Sequence, residues 1–285
     1  MATTKRRACA TRRAANVARM NRHQLELTSQ SNSALCRRAD IGVAREDQAP
    51  APSITHAIGL LNHRMKHVSV VGTVHEEKGR ASISELLAIL ERIRPEVIFL
   101  EIPSAAFDDH FNGNRGNLES TAVSRYREDH RVDLIPVDLP TPDEDFFAKH
   151  RDLIRRIERT SPDFRRLVDW HSQNVSAHGF AYLNSKDCSD LFSQLHEAML
   201  AAIEKDVDHR LLAEVYDRWI RTNELRDKGM MTNIENYCRE ASFSSAAFLV
   251  GAAHRQSILT LSGSQAAAAP STVLWDFSGF LEEPH

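Results

Sequence analysis

Two apolar segments that each end in Gly-x-x-His constrain the fold more than any other feature of this chain. Residues 68–75 have the sequence Val-Ser-Val-Val-Gly-Thr-Val-His, and residues 246–254 have the sequence Ala-Ala-Phe-Leu-Val-Gly-Ala-Ala-His. Short apolar runs that stop at a glycine are typical of buried strands. In an open parallel sheet the carboxyl ends of the strands share one edge, where ligands bind. We therefore expect His75 and His254 to meet at such an edge.

Strand and helix patterns alternate between residues 68 and 138. The segment 80–94 has the apolar spacing of an amphipathic helix, and residues 119–129 also have a helical pattern. The short apolar runs 96–101 and 132–137 are typical of buried strands. Strands that alternate with helices in this way form parallel crossovers, so we predict an α/β fold with a mostly parallel sheet and flanking helices.

A long stretch without any strand pattern follows, and we expect it to be an all-helical insert over about residues 141–240. Successive helices are predicted over residues 141–159, 162–177, 189–205, 208–221 and 222–240. The insert should cover one face or rim of the sheet before the chain returns to the last core strands, at 246–251 and 272–277. The alanine run 266–269, followed by proline, is predicted to be a linker.

The first 52 residues differ in composition from the rest of the chain. Nine lysines and arginines lie within residues 1–39, against one acidic residue, Glu26. Such a segment, without a sustained apolar period, is expected to be a disordered basic leader, and residues 53–285 are expected to form a single α/β domain. An organelle transit peptide has a similar composition, so targeting to an organelle stays open beside a cytoplasmic location.

Composition narrows the classes of function. The net charge of −3 gives no reason to expect a nucleic-acid partner. The four cysteines are scattered without paired spacing, which argues against a zinc finger or a disulfide framework and fits a reducing compartment. No apolar run approaches the roughly 18 residues of a membrane span. We therefore expect a protein without a membrane span that acts on a small molecule or a peptide.

Four polar residues lie at or just past the ends of predicted strands, namely His75, Glu101, Asp138 and His254. Imidazole and carboxylate together suit a divalent ion such as Zn, Mn, Co or Fe, and they leave a position open for an activated water. Each residue also has a structural interpretation. Either histidine could form a structural hydrogen bond, Glu101 could cap a helix, and Asp138 could form a turn.

Arg226 is a fifth candidate, in the segment Glu-Leu-Arg-Asp-Lys-Gly-Met of residues 224–230. A guanidinium directed into the cleft could hold a carboxylate or polarise a substrate carbonyl. The alternative is that Glu224, Arg226, Asp227 and Lys228 form a solvated charged face. The charge pattern alone does not distinguish these interpretations.

Four segments in this order and spacing resemble the TraB/PrgY/GumN/Tiki superfamily over about residues 67–260. They are Val-Val-Gly-Thr-Val-His (70–75), Pro-Glu-Val-Ile-Phe-Leu-Glu (95–101), Glu-Leu-Arg-Asp-x-x-Met (224–230) and Val-Gly-Ala-Ala-His (250–254). The resemblance implies that His75, Glu101, Arg226 and His254 gather into one site. Tiki proteins are metal-dependent proteases, whereas the related erythromycin-esterase-like and haem-uptake ChaN-like proteins have other activities.

Two hypotheses follow from the residues and the resemblance. The first is a metal-dependent hydrolase of a peptide or another acyl bond, with Mn, Co or Zn held by His75, His254 and Glu101. In it Glu101 could instead be the general base, Arg226 would steady the oxyanion, and Asp138 is a possible additional member. The second is a regulatory protein that binds a peptide, haem or a small molecule in the same cleft without turnover.

Overall fold

The structure, a computed structural model, describes residues 65–111, 116–268 and 272–281. The predicted leader, 1–52, lies outside these residues. The described chain contains five strands, β1 (Lys66–Thr73), β2 (Val97–Pro103), β3 (Asp133–Asp138), β4 (Ser245–Gly251) and β5 (Val273–Asp276). Its α-helices are α1 (Ile83–Ile93), α2 (Phe107–Phe111), α3 (Leu118–Asp129), α4 (Glu144–Thr160), α5 (Pro162–Leu183), α6 (Lys186–Glu204), α7 (His209–Glu240) and α8 (Arg255–Ala268).

The five strands form one sheet in the order β3-β2-β4-β1-β5, and every pair is parallel. The predicted α/β class with a parallel sheet and flanking helices is therefore confirmed. β4 lies between β1 and β2, with Val250 opposite Gly72 and Leu249 opposite Leu100. Because the three strands run in one direction, their carboxyl ends share an edge of the sheet.

Helices cover both faces of the sheet, and alternate residues of each strand face opposite layers. On one face Val71 of β1 belongs to the same buried cluster as Leu90 of α1. On the other face Val70 and Phe248 share a cluster with Ile234 of α7. Fully burying such a side chain contributes about 1.5–3 kcal/mol, so the two clusters stabilise the sheet between its two layers of helices.

The insert predicted over about residues 141–240 is confirmed as helical, and it has its own apolar core between α4, α5, α6 and α7. The prediction of two helices, 208–221 and 222–240, was wrong, because both belong to the single 32-residue helix α7. Leu212, in the first half of α7, packs in the insert core, whereas Ile234, in the second half, packs on the sheet. Because the two halves of α7 pack against different partners, the apolar positions change along the helix. In the sequence this change resembles a boundary between two helices.

The predicted linker at 266–269 was also wrong in its described part, because α8 continues to Ala268. Alanine has the highest helix propensity of all residues, so an alanine run extends a helix that has already begun. No helix within the described ranges has the length and apolar character needed to cross a membrane.

Candidate functional site

Glu101, at the end of β2, joins the ends of two strands and one helix. Its Oε2 accepts a hydrogen bond from the backbone N–H of Gly251 in β4 at 2.6 Å. Its Oε1 accepts a hydrogen bond from Nη2 of Arg226 at 2.6 Å and lies 3.3 Å from Nε2 of His254. A Cβ at position 251 would lie 3.3 Å from Oε2, closer than ordinary contact, so glycine lets the carboxylate approach the strand.

The second Gly-x-x-His sequence forms a turn that brings His254 back over the end of β4. The backbone N–H of His254 donates to the carbonyl of Gly251 at 2.9 Å. The imidazole Nδ1 lies 2.6 Å from Oδ1 of Asp227, which α7 supplies, and only 9% of the His254 side chain is exposed. Burial alone would lower the pKa of His254, but the charge of Glu101 and the hydrogen bond with Asp227 raise this pKa to about 10.

The first Gly-x-x-His sequence places His75 against the start of α3. Nδ1 of His75 lies 3.0 Å from Oε2 of Glu119, in the first turn of that helix. The hydroxyl of Thr73 donates to the other oxygen of Glu119, and the N–H of Leu118 donates to the carbonyl of His75 at 2.8 Å. Burial would lower the pKa of His75, whereas the charge and hydrogen bond of Glu119 raise it to about 9.

Arg226 forms a bidentate ion pair with Asp138 and also contacts Glu101. Nε of Arg226 donates to Oδ1 of Asp138 at 3.1 Å, and Nη2 donates to Oδ2 at 2.7 Å. A Cβ on Gly229, one turn further along α7, would lie 2.6 Å from Cδ2 of Leu139, the residue after β3. Glycine therefore lets α7 approach the end of β3, which brings the guanidinium onto both carboxylates.

The electrostatic environment keeps Glu101 ionised although its side chain is only 6% exposed. Burial alone would raise the pKa of this carboxyl, but His254, Arg226 and the N–H of Gly251 together hold the pKa well below its usual range. The same surroundings raise the pKa of Arg226 above its ordinary value, because both of its carboxylate partners favour the charged guanidinium. The site is a compact set of ion pairs in which every charge has an opposite neighbour.

A cavity of about 380 Å³ opens at this edge of the sheet. His75, Glu101 and His254 line it together with Asp227, and further residues of the helical insert complete the lining. The structure thus brings the two imidazoles and one carboxylate of the predicted site to a common hollow. Arg226 and Asp138 contact Glu101 or each other but are not among the residues that line the cavity.

Sequence reasoning missed two anchoring carboxylates. No role in the site was predicted for Asp227, yet it is 3% exposed and bonded to His254, whereas Glu224 and Lys228 are exposed. The helical spacing that places Asp227 on one stripe with Met230 and Ile234 could have revealed its burial. For Glu119 the only available signal was its place in the first turn of a predicted helix.

The donor chemistry at the cavity fits a divalent ion. Imidazole nitrogen and carboxylate oxygen are common ligands of Mn, Co and Zn. Histidines that bind metals usually hold a carboxylate through their other ring nitrogen, as His75 holds Glu119 and His254 holds Asp227 through Nδ1. Within the described residues no group of three or more His, Cys, Asp or Glu side chains is already arranged as a metal site.

No protein-family model, curated protein or solved structure matches this chain. The resemblance to the TraB/PrgY/GumN/Tiki superfamily therefore stays a prediction.

Proposed function

We propose that this protein is a metal-dependent hydrolase of the TraB/Tiki type that cleaves a peptide bond or another acyl bond in the cavity at the strand ends. The single observation that carries the proposal is the orientation of two imidazoles toward one cavity. In both His75 and His254 a carboxylate contacts Nδ1, so Nε2 is the ring nitrogen that would bind an ion, and in His254 this nitrogen also contacts Glu101. Glu101 lies 3.3 Å from Nε2 of His254 and lines the same cavity.

His75, His254 and Glu101 would hold the divalent ion of this enzyme, and Mn, Co and Zn all suit these donors. When bound, the ion would supply Lewis-acid activation of a water molecule. Glu119 and Asp227 would keep the imidazoles in the required tautomer and orientation.

Glu101 and Arg226 would have different roles in this enzyme. If Glu101 does not hold the ion, its ionised carboxylate would instead receive the proton that the attacking water gives up. Arg226 was predicted to steady the oxyanion, but its contacts favour a positioning role. Its guanidinium clamps Glu101 on one side and Asp138 on the other, away from the cavity lining.

The test is turnover of fluorogenic peptides and aryl esters by full-length protein loaded with Mn²⁺, Co²⁺ or Zn²⁺. We expect Glu101→Gln to reduce kcat by about 10²- to 10⁴-fold, the usual contribution of a general acid or base. The matched control is Glu96→Gln, because Glu96 precedes β2 at the opposite edge of the sheet and is exposed. Equal activity of Glu101→Gln and Glu96→Gln would overturn the assignment of this site.

Metal content of the same samples tests the ion separately. We expect His75→Ala and His254→Ala each to lower the bound metal, whereas His178→Ala, an exposed change on α5, should leave the bound metal as in the wild type. If no ion is retained in a way that depends on His75 and His254, the metal is absent from the mechanism.

A second candidate function is binding of a peptide, haem or a small molecule without turnover. The observation that favours it is that both oxygens of Glu101 are already engaged, with Gly251 on one side and with Arg226 and His254 on the other. A carboxylate so held, with its pKa far below the usual range, is a weak base. A ligand that raises the Tm and is recovered intact after incubation would favour this function.

A further inference from the structure

The helical insert supplies a wall of the cavity that differs in character from the sheet edge. Val168 comes from α5, Phe192 and Leu195 from α6, and Trp219 and Ile220 from α7. We call these five residues the insert wall. All five are apolar and partly buried, and they line the same cavity as the residues at the strand ends. A concave apolar surface of this kind is typical of ligand sites with a few polar groups at one end.

Three histidines extend the insert wall without adding charge to it. The ring of His150 stacks on Trp219, with centroids 4.7 Å apart and planes 13° apart. Nδ1 of His171 lies 3.2 Å from the hydroxyl of Tyr182, and His196 makes the same type of contact with a tyrosine of α7. Burial lowers the pKa of His150 and of His171 to about 4 and also lowers the pKa of His196. All three imidazoles are therefore neutral at pH 7.

The charges of the cavity are concentrated on the sheet side. Glu101, Asp227 and His254 are buried there as an ion-pair cluster, and His75 adds a second imidazole. α7 supplies Asp227 to this cluster, and it also adds Glu224, an exposed residue, to the lining. The lining of the cavity therefore combines an ion-paired group of residues, where a scissile bond would lie, with the apolar insert wall and its three uncharged imidazoles.

We propose that the insert wall selects the molecule bound here by a large, uncharged, apolar group, such as an aromatic or branched aliphatic side chain. This inference rests on the proposed function in one respect, because it names the substrate class of that hydrolase. The substrate would be a peptide, amide or ester with such a side chain next to the bond presented to Glu101 and His254. Removing a Leu- or Phe-sized group from water gives a preference over glycine of about 10- to 100-fold.

Binding can be measured without turnover through the fluorescence of Trp219. The chain has three tryptophans, and Trp170→Phe combined with Trp275→Phe leaves only the one on the insert wall. The probes are N-acetyl-L-phenylalaninamide and N-acetyl-L-leucinamide, with N-acetylglycinamide and N-acetyl-L-lysinamide for comparison. We expect the first two to change the Trp219 emission with Kd values about 10- to 100-fold lower than those of the other two. Equal Kd values, or tighter binding of the lysine probe, would overturn the proposal.

Charge introduced into the insert wall provides a matched pair of variants. Leu195→Asp places a carboxylate on the wall, whereas Leu200→Asp places one on the same helix at a position that is 48% exposed and outside the cavity lining. We expect Leu195→Asp to remove the preference for the apolar probes and Leu200→Asp to retain it. If Leu195→Asp does not fold, as judged by circular dichroism, Ile220→Asp places the carboxylate at another position of the insert wall. Unchanged selectivity in the folded wall variant contradicts the proposal.

The binding and turnover measurements distinguish failure of the proposed hydrolase from failure of the inference about the insert wall. Selective binding of the apolar probes that persists in Glu101→Gln, with no hydrolysis by the wild type, would overturn the proposed hydrolase and support the apolar selectivity of the insert wall. Hydrolysis of glycine and phenylalanine substrates with equal kcat/KM would support the hydrolase and overturn the inference about the insert wall.

Discussion

Oδ1 of Asp227 lies 2.6 Å from Nδ1 of His254, and this contact directs Nε2 of the imidazole toward Glu101. Glu119 holds Nδ1 of His75 in the same manner at 3.0 Å. The two histidines come from turns after strands, whereas both anchoring carboxylates come from helices. The orientation of the imidazoles therefore depends on how α3 and α7 pack against the sheet, and not on the Gly-x-x-His sequences alone.

Loss of the Asp227 carboxylate should remove the contact that holds the His254 imidazole against α7. We expect Asp227→Ala to lower metal affinity or kcat/KM by about 10- to 100-fold, the usual effect of removing a partner behind a ligating histidine. The pKa of His254, which NMR can measure, should fall, because one of the groups that raise it to about 10 is lost.

The matched control is Asp227→Asn, which keeps an oxygen that can accept the Nδ1–H but removes the charge. Its activity should lie between those of the wild type and Asp227→Ala. An unchanged pKa of His254 in folded Asp227→Ala would contradict the anchoring role.

The sequence was sufficient to predict the parallel sheet, because each core strand is a short apolar run that ends at a glycine or a polar residue. It also placed His75 and His254 after strand ends, and it placed Glu101 and Asp138 near the carboxyl ends of β2 and β3, since the direction of parallel strands fixes where such residues lie. The anchoring carboxylates could not be predicted in the same way. Helical residues reach the site through long-range packing, and a carboxylate in a charged segment such as residues 224–228 resembles an ordinary solvated residue.

Arg226 should stabilise the fold as well as the site, because it compensates two buried carboxylates. The side chains of Glu101 and Asp138 are 6% and 5% exposed, and both bond to this guanidinium. Removing one partner of a buried ion pair costs about 3–5 kcal/mol. We expect Arg226→Ala to lower the free energy of unfolding by this order, as measured by urea denaturation.

Two further variants define the role of Arg226. Arg226→Lys should recover only part of the loss, because an ammonium cannot bond two carboxylates in the fork geometry of a guanidinium. Arg221→Ala removes an exposed arginine of the same helix, whose side chain is 77% exposed, and should cost less than about 1 kcal/mol. Equal losses in the free energy of unfolding for Arg226→Ala and Arg221→Ala would show that the buried ion pairs of Arg226 stabilise the fold no more than an exposed arginine does.

His150 should make the fold sensitive to acid. Its pKa is about 4 in the folded protein and about 6.5 in the unfolded chain, so the unfolded state binds more protons between these values. Its contribution therefore destabilises the fold as pH falls from about 6.5 toward 4, by on the order of 2 kcal/mol at pH 5. We expect His150→Phe, which can still stack on Trp219, to reduce the loss of stability between pH 7.5 and 5.

The control for this titration is His178→Gln, an exposed change on α5. Its unfolding free energy should follow the wild-type pH profile. A His150→Phe profile parallel to that of the wild type would mean that the buried imidazole is not the group responsible.

Gly229 tests whether close approach of α7 to β3 determines the position of Arg226. Replacing a glycine inside a helix by alanine normally stabilises a protein by about 1 kcal/mol. This gain is expected for Gly263→Ala in α8, since a Cβ there would meet nothing within 4 Å. At Gly229 a Cβ would lie 2.6 Å from Leu139, so we expect Gly229→Ala to destabilise the fold by about 1–3 kcal/mol instead.

The double variant Gly229→Ala with Leu139→Ala identifies the contact. If the collision with Leu139 is the cause, the two substitutions together should cost less than the sum of their separate costs, by more than about 0.5 kcal/mol. Urea denaturation of the four proteins in the cycle measures this coupling. The contrary result is that Gly229→Ala stabilises the fold as much as Gly263→Ala does. That result would show that a Cβ fits between α7 and Leu139, and that glycine is not needed to bring Arg226 into contact with Asp138.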